Sequence, residues 1–220
     1  TVDTLLIESG AAMDTQGNSL TVSSEFDNEG TLYRRAGDTV NQTDTDSGTT
    51  YYRNIGGTFQ DYGSTADYFN LTLDGQSFSL DENLRTAGTL TVLGAGTGSL
   101  STGLHSLTVD GNLAGTGTLT AGPVGITVSG DFTIDGFDAN GGTTTLNGNG
   151  TIEATTFETL SITGGTRTLS DTITVEGDLN LTGGDFQPGT NTINLWGDWN
   201  RTSGTFTAGN STVTVADSTQ

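Results

Sequence analysis

The feature that most constrains this chain is a short motif that returns at near-constant spacing. LTVSSEF begins at Leu20, LTVDGNL at Leu107, ITVSGDF at Ile126, ITVEGDL at Ile173, INLWGDW at Ile193 and VTVADST at Val213. From Leu107 onward the starts lie 19, 47, 20 and 20 residues apart, and the interval of 47 fits two coils. Apolar residues hold the first, third and seventh places, usually with a glycine or other small residue at the fifth. Alternation with a period of two followed by glycine reads as a short strand and then a corner. GTL or GTF triplets supply a second apolar anchor at Gly30–Leu32, Gly57–Phe59, Gly88–Leu90, Gly117–Leu119 and Gly204–Phe206. Equivalent strands in one orientation, once per coil, stack into ladders about 4.8 Å apart. The predicted fold is therefore all-β, a parallel β-solenoid (β-helix) with about 20 to 22 residues per coil. An antiparallel sandwich is the alternative, since it also places short strands and turn signals at close intervals. No sustained helical periodicity competes with either reading.

A longer period lies above the coil. LTLDGQSFSLDENLRTAGTL from Leu71 aligns without gaps with LSITGGTRTLSDTITVEGDL from Leu160 at an offset of 89, and GTLTAGPVGITV from Gly117 aligns with GTFTAGNSTVTV from Gly204 at 87. The expected organisation is N-terminal coils over 1–32, an irregular segment over 33–68, and a regular solenoid over 69–220. That last part would hold two copies of a block of about 88 residues, read as four turns. Around the middle segment gather Tyr33, Tyr51, Tyr52, Tyr62, Tyr68 and Phe69 with Arg34, Arg35 and Arg53, half of the six basic residues. It is expected to be either an insertion thrown out from the solenoid or a run of degenerate coils.

A hydrophobic content of 31% is thin for an ordinary globule but suffices for a narrow tube, in which each turn buries only a few side chains. There is no lysine, and the net charge of -20 argues against nucleic acid and anionic membrane surfaces, both of which require basic patches. No stretch has the length and apolarity of a membrane span. The absence of cysteine rules out a disulfide framework and thiolate metal ligation. The opening TVDTLLIESG lacks the order of a signal peptide, so the chain is expected to be a processed form or a segment of a longer one.

ITVSGDF, ITVEGDL and INLWGDW together with FTAGNSTVTV resemble the Gly- and Thr-rich β-helical repeats of large bacterial surface proteins, such as filamentous haemagglutinin-type adhesins and autotransporter passengers. The resemblance covers residues 69–220 and, more loosely, Leu5 to Leu32. It implies an extracellular or cell-surface location, an elongated rod and a part in adhesion, biofilm or surface layers. It carries over no catalytic residue, and no enzymatic activity is expected.

The residues with chemical potential are few. Asp110 with Glu176, and Asp131 with Asp178, hold comparable places in the motif and could share a face, as a carbohydrate-active β-helix would need. His105 is the single histidine, with no nucleophile motif beside it. Asp44 and Asp46 in DTDSG, and Asp135 and Asp138 in DGFDANGG, have the oxygen-rich, glycine-turn character of calcium loops without completing one, so no cofactor is expected beyond Ca2+ at these places. Trp199 aligns with Leu113, Phe132 and Leu179 and is expected in the core. Trp196 aligns with Asp110, Ser129 and Glu176, which puts an indole on the outer face, where it could stack on a sugar. Thr21, Thr108, Thr127, Thr174 and Thr214 point outward in one column, a pattern that raises an ice-binding reading. Asn41, Asn70, Asn180, Asn200 and Asn210 begin N-x-S/T sequons. The expected partners are further copies of the chain or neighbouring repeats, joined end to end, and a surface polysaccharide.

Overall fold

The computed structural model describes residues 1–53, 56–57, 66–94, 97–153 and 155–216. Among them there is no helix, and every paired strand runs parallel to its neighbour. The chain is a β-solenoid. Partners along its longest sheet include Ala12↔Thr31, Leu71↔Leu90, Leu113↔Phe132, Ile152↔Leu169 and Phe186↔Phe206. Eleven successive rungs of this kind make about 11 turns of about 19 residues each, slightly tighter than the coil expected from the motif.

Each regular coil has three runs of strand. The coil that starts at Phe132 shows them in order: Phe132–Asp138 bends through a first and a second face, Thr143–Leu146 forms a third, and Gly150–Ile152 returns to the first, one rung on. The inward column of the first face runs Leu71, Leu90, Leu113, Phe132, Ile152 and Leu169. That of the second runs Phe78, Leu100, Leu119 and Phe137 and continues through Phe157, Val175, Leu195 and Val215. The third runs Leu84, Leu107, Ile126, Thr144, Leu160, Leu179 and Trp199. Period-two alternation sends these side chains into one tube and their neighbours to solvent.

Corners demand small residues, because successive turns lie in van der Waals contact there. A Cβ on Gly122 would stand 1.6 Å from the Gly103 carbonyl oxygen, and one on Gly48 would stand 1.8 Å from that of Asn28. Asparagine and aspartate complete the corners from below. The Asn70, Asn112 and Asp131 side-chain oxygens accept the N–H groups of Thr89, Asp131 and Thr151 one coil above, each at 2.8 Å.

The residues at the first and third places of four motif copies, Leu107, Val109, Ile126, Val128, Ile173, Val175, Ile193 and Leu195, are all buried. They do not form one column. Leu107 and Ile126 lie on the third face, whereas Ile173 and Ile193 lie on the second. The interval of 47 residues is thus not two whole coils, and the same strand-and-corner motif serves either face. The 88-residue likeness behaves similarly. Leu71 sits on the first face and Leu160 on the third, while Leu119 sits on the second and Phe206 on the first. Both steps amount to four turns and two thirds rather than four.

The described part of 33–68 runs as coils: Thr31–Arg34, Thr49–Arg53 and Asn70–Asp74 are consecutive rungs of the long sheet. Tyr62 and Phe59 lie outside the described residues. Here the interior becomes polar. Arg34 and Tyr52 hold inward positions on successive rungs, with the guanidinium 5.0 Å from the ring centroid. Arg34 donates to the Asp38 carbonyl, Thr15 donates to the Asp38 carboxylate, and the Tyr52 and Tyr68 hydroxyls meet at 3.1 Å. This layer separates a small apolar cluster around Ile7, Leu32 and Val40 from the main core, which runs from Tyr52 to Leu195.

A second buried arginine lies further on. Arg167 takes an inward position between Gly150 and Phe186 and extends back two coils. It donates to the carbonyls of Gly130 at 2.5 Å, Val128 at 2.8 Å and Ser129 at 2.9 Å. Gly150 makes the passage, since a Cβ there would stand 2.7 Å from Arg167 Nη1. Burial pushes the guanidinium down to about 10, partly offset by the Asp131 carboxylate, which leaves it charged at neutral pH.

Candidate surface sites

The carboxylate pairs that hold comparable places in the motif do not share a face. Asp110 follows a third-face strand and Glu176 a second-face strand, while Asp131 precedes a first-face strand and Asp178 a third-face one. The motif alignment carried each pair across a face boundary. Asp110 instead forms an ion pair with Arg85 at 2.8 Å. His105 sits in a turn, where its backbone N–H donates to the Thr102 carbonyl at 3.0 Å.

The four aspartates singled out for a cation lie on three separate grooves. Asp44 accepts the Asn28 N–H at 2.6 Å and the Asp46 N–H at 3.1 Å, beside Glu25, Asp27 and Glu29. Burial pushes its carboxyl above the usual range against the pull of the Asn28 N–H. Asp135 lines a groove with Glu153 and Asp171. Asp138, at the far end of the same strand, accepts the Asn140 N–H at 3.0 Å and faces Glu158 and Glu176. Among the described residues no three carboxylate or imidazole side chains converge as a metal site.

The sequons differ in how far their amides are committed. Asn41 and Asn70 donate to the carbonyls of Val22 at 2.8 Å and Gly48 at 3.0 Å, and Asn200 donates to Asn180 at 3.2 Å. Asn210 is exposed.

The threonine column expected from the motif divides between faces as the motif does, with Thr108 and Thr127 on the third face and Thr174 and Thr214 on the second. A two-column hydroxyl patch occurs elsewhere, where Ser77 and Ser79, Ser99 and Ser101, and Thr118 and Thr120 stack over three rungs of the second face. It stops at Gly136 and Asp138.

Trp199 is half-buried, stacked on Leu179 and edge-on to Phe206 at 4.7 Å, so it belongs to the core but near its upper limit. Its alignment with Leu113 and Phe132 was out of phase, because those residues lie on the first face. Trp196 is 51% exposed, and its true counterpart one coil below is Glu176, not Asp110 or Ser129.

Among the described residues the rung at the C-terminal side of the core is open. Trp199, Phe206 and Val213 are only partly buried against the core, and Val215 is 65% exposed. At the other end Leu5 and Met13 are only partly buried against the N-terminal cluster, and the strand Val2–Ile7 is paired along one edge only among the described residues.

No protein-family model matches the chain, and neither a curated protein nor a solved structure matches it significantly.

Proposed function

We propose that the chain is a structural and adhesive rod of the cell surface or extracellular space, which lengthens by stacking coil on coil at its ends. The observation that carries this reading is the pair of end rungs, where core-register residues are only partly buried among the described residues: Phe206 and Val213 at one end, Leu5 and Met13 at the other. An edge strand presents unpaired N–H and C=O groups, and repeat proteins ordinarily cover such ends with polar caps. Another parallel coil, from a second copy or a neighbouring repeat, satisfies both the hydrogen bonds and the apolar surface. A heterologous contact of this kind propagates when it does not close on itself. The surface location rests on the resemblance of the motif and on the acidic, lysine-free composition.

Light scattering of the 220-residue chain at rising concentration tests this. The expected result is a mass that grows with concentration into elongated species. A strictly monomeric particle throughout would overturn self-assembly.

A further inference from the structure

The corner that closes the second face presents one outward residue per coil. Asp138, Glu158, Glu176, Trp196 and Ala216 follow the stacked residues Phe137, Phe157, Val175, Leu195 and Val215. Trp196 is the one aromatic among the exposed large apolar side chains of the described residues. Its backbone is fixed, because its N–H donates to the Val175 carbonyl at 2.9 Å and the preceding Leu195 is fully buried. The position above holds Ala216, a side chain too small to cover an indole. On the same face the adjoining outward column holds Thr174 and Asn194.

We propose that this ridge binds a neutral, extended β-linked polysaccharide lying along the rod. An exposed indole offers a rigid apolar plate for the C–H face of a pyranose at low entropic cost. Glu176 and Glu158 accept hydrogen bonds from sugar hydroxyls, and Thr174 and Asn194 both donate and accept. Coils rise about 4.8 Å apiece, close to the length of one sugar ring in a straight chain, so successive sugars meet successive coils. The acidic ridge and the net charge of -20 repel uronate and sulfated glycans, and equally the same ridge on a second copy. The ridge lies on the side of the rod, so end-to-end stacking and glycan binding succeed or fail separately.

The test uses cellohexaose and chitohexaose as neutral probes and oligogalacturonate as the anionic one. In Trp199→Phe, which leaves Trp196 as the sole indole, at least one neutral probe should shift the emission saturably and oligogalacturonate should not. In the parent background Trp196→Ala should weaken binding of that probe by at least about tenfold with the melting temperature unchanged, and Glu176→Gln by a few-fold. The proposal is overturned if neither neutral probe binds at millimolar concentration, or if Trp196→Ala binds as the parent does. It is also overturned if Trp196→Ala dissociates a parent oligomer in the absence of glycan.

Discussion

Two arginines reach back across two coils, Arg53 along the outside of the N-terminal coils and Arg167 through the inside of the C-terminal ones. Arg53 crosses the Tyr33 ring, 4.3 Å from its centroid, to pair with Asp14. Arg167 crosses the space left by Gly150 and ends on three main-chain carbonyls. The outer contact is wet and exchangeable. The inner one binds a desolvated cation in a place that only one coil provides. Apolar ladders make any coil fit on any other, so a buried polar group has the use that it has in coiled coils: it marks one register among many near-equivalent ones. The N-terminal part has such a mark in the Arg34 layer, the C-terminal part in Arg167.

The largest expected effect comes from breaking the inner contact. Arg167→Ala should cost about 3 to 5 kcal/mol in urea unfolding, because it empties the channel and removes three charge-assisted hydrogen bonds. Arg167→Met, which refills the channel without the charge, should recover most of that loss. If Arg167→Ala costs no more than the outer variant, the distinction between the two regions disappears.

Arg53→Ala is that outer variant. The ion pair is solvated and the cation–π contact only partly buried, so the loss should be far smaller than that of Arg167→Ala and should shrink in high salt. A salt-independent loss of several kcal/mol would place Arg53 with the structural core.

The smallest effect is a pH dependence confined to the N-terminal coils. Burial and the hydrogen bond to Asp74 at 2.6 Å push the Tyr51 hydroxyl from 10.0 up to about 12. The folded chain therefore keeps this proton after the unfolded chain has lost it. The stabilisation is complete below pH 10 and disappears as the pH rises through about 12. Melting temperatures of the parent relative to Tyr51→Phe should converge over that window, and a constant difference would show that Tyr51 is not linked.

Much of this architecture was legible because alternation and corner glycines are local signals. The eight motif residues are buried as their spacing required, and Trp196 is exposed. What local signals could not give was the face. A strand of three residues followed by a glycine corner looks the same on the second face as on the third, so the run from Ile126 to Ile173 was counted in whole coils. Every alignment built on that count inherited the slip, including the pairing of Asp110 with Glu176. The buried arginines were hidden for another reason. A charge among threonines reads as solvent-facing, and Arg167 is inward only because Gly150, 17 residues earlier, leaves room beneath it. For Arg167 the available signal was the glycine placed one coil before it.

The offset of four turns and two thirds between the like halves has a consequence for descent. A gene segment copied in tandem here did not have to encode whole turns, since each face accepts the strands of the others. Breakpoints could fall at any corner, and an in-frame insertion had only to add a multiple of one third of a turn for the coil to continue. Such a scaffold can lengthen by small steps, and the like halves show the result: the places of Leu71 on the first face and Leu119 on the second recur at Leu160 on the third face and Phe206 on the first.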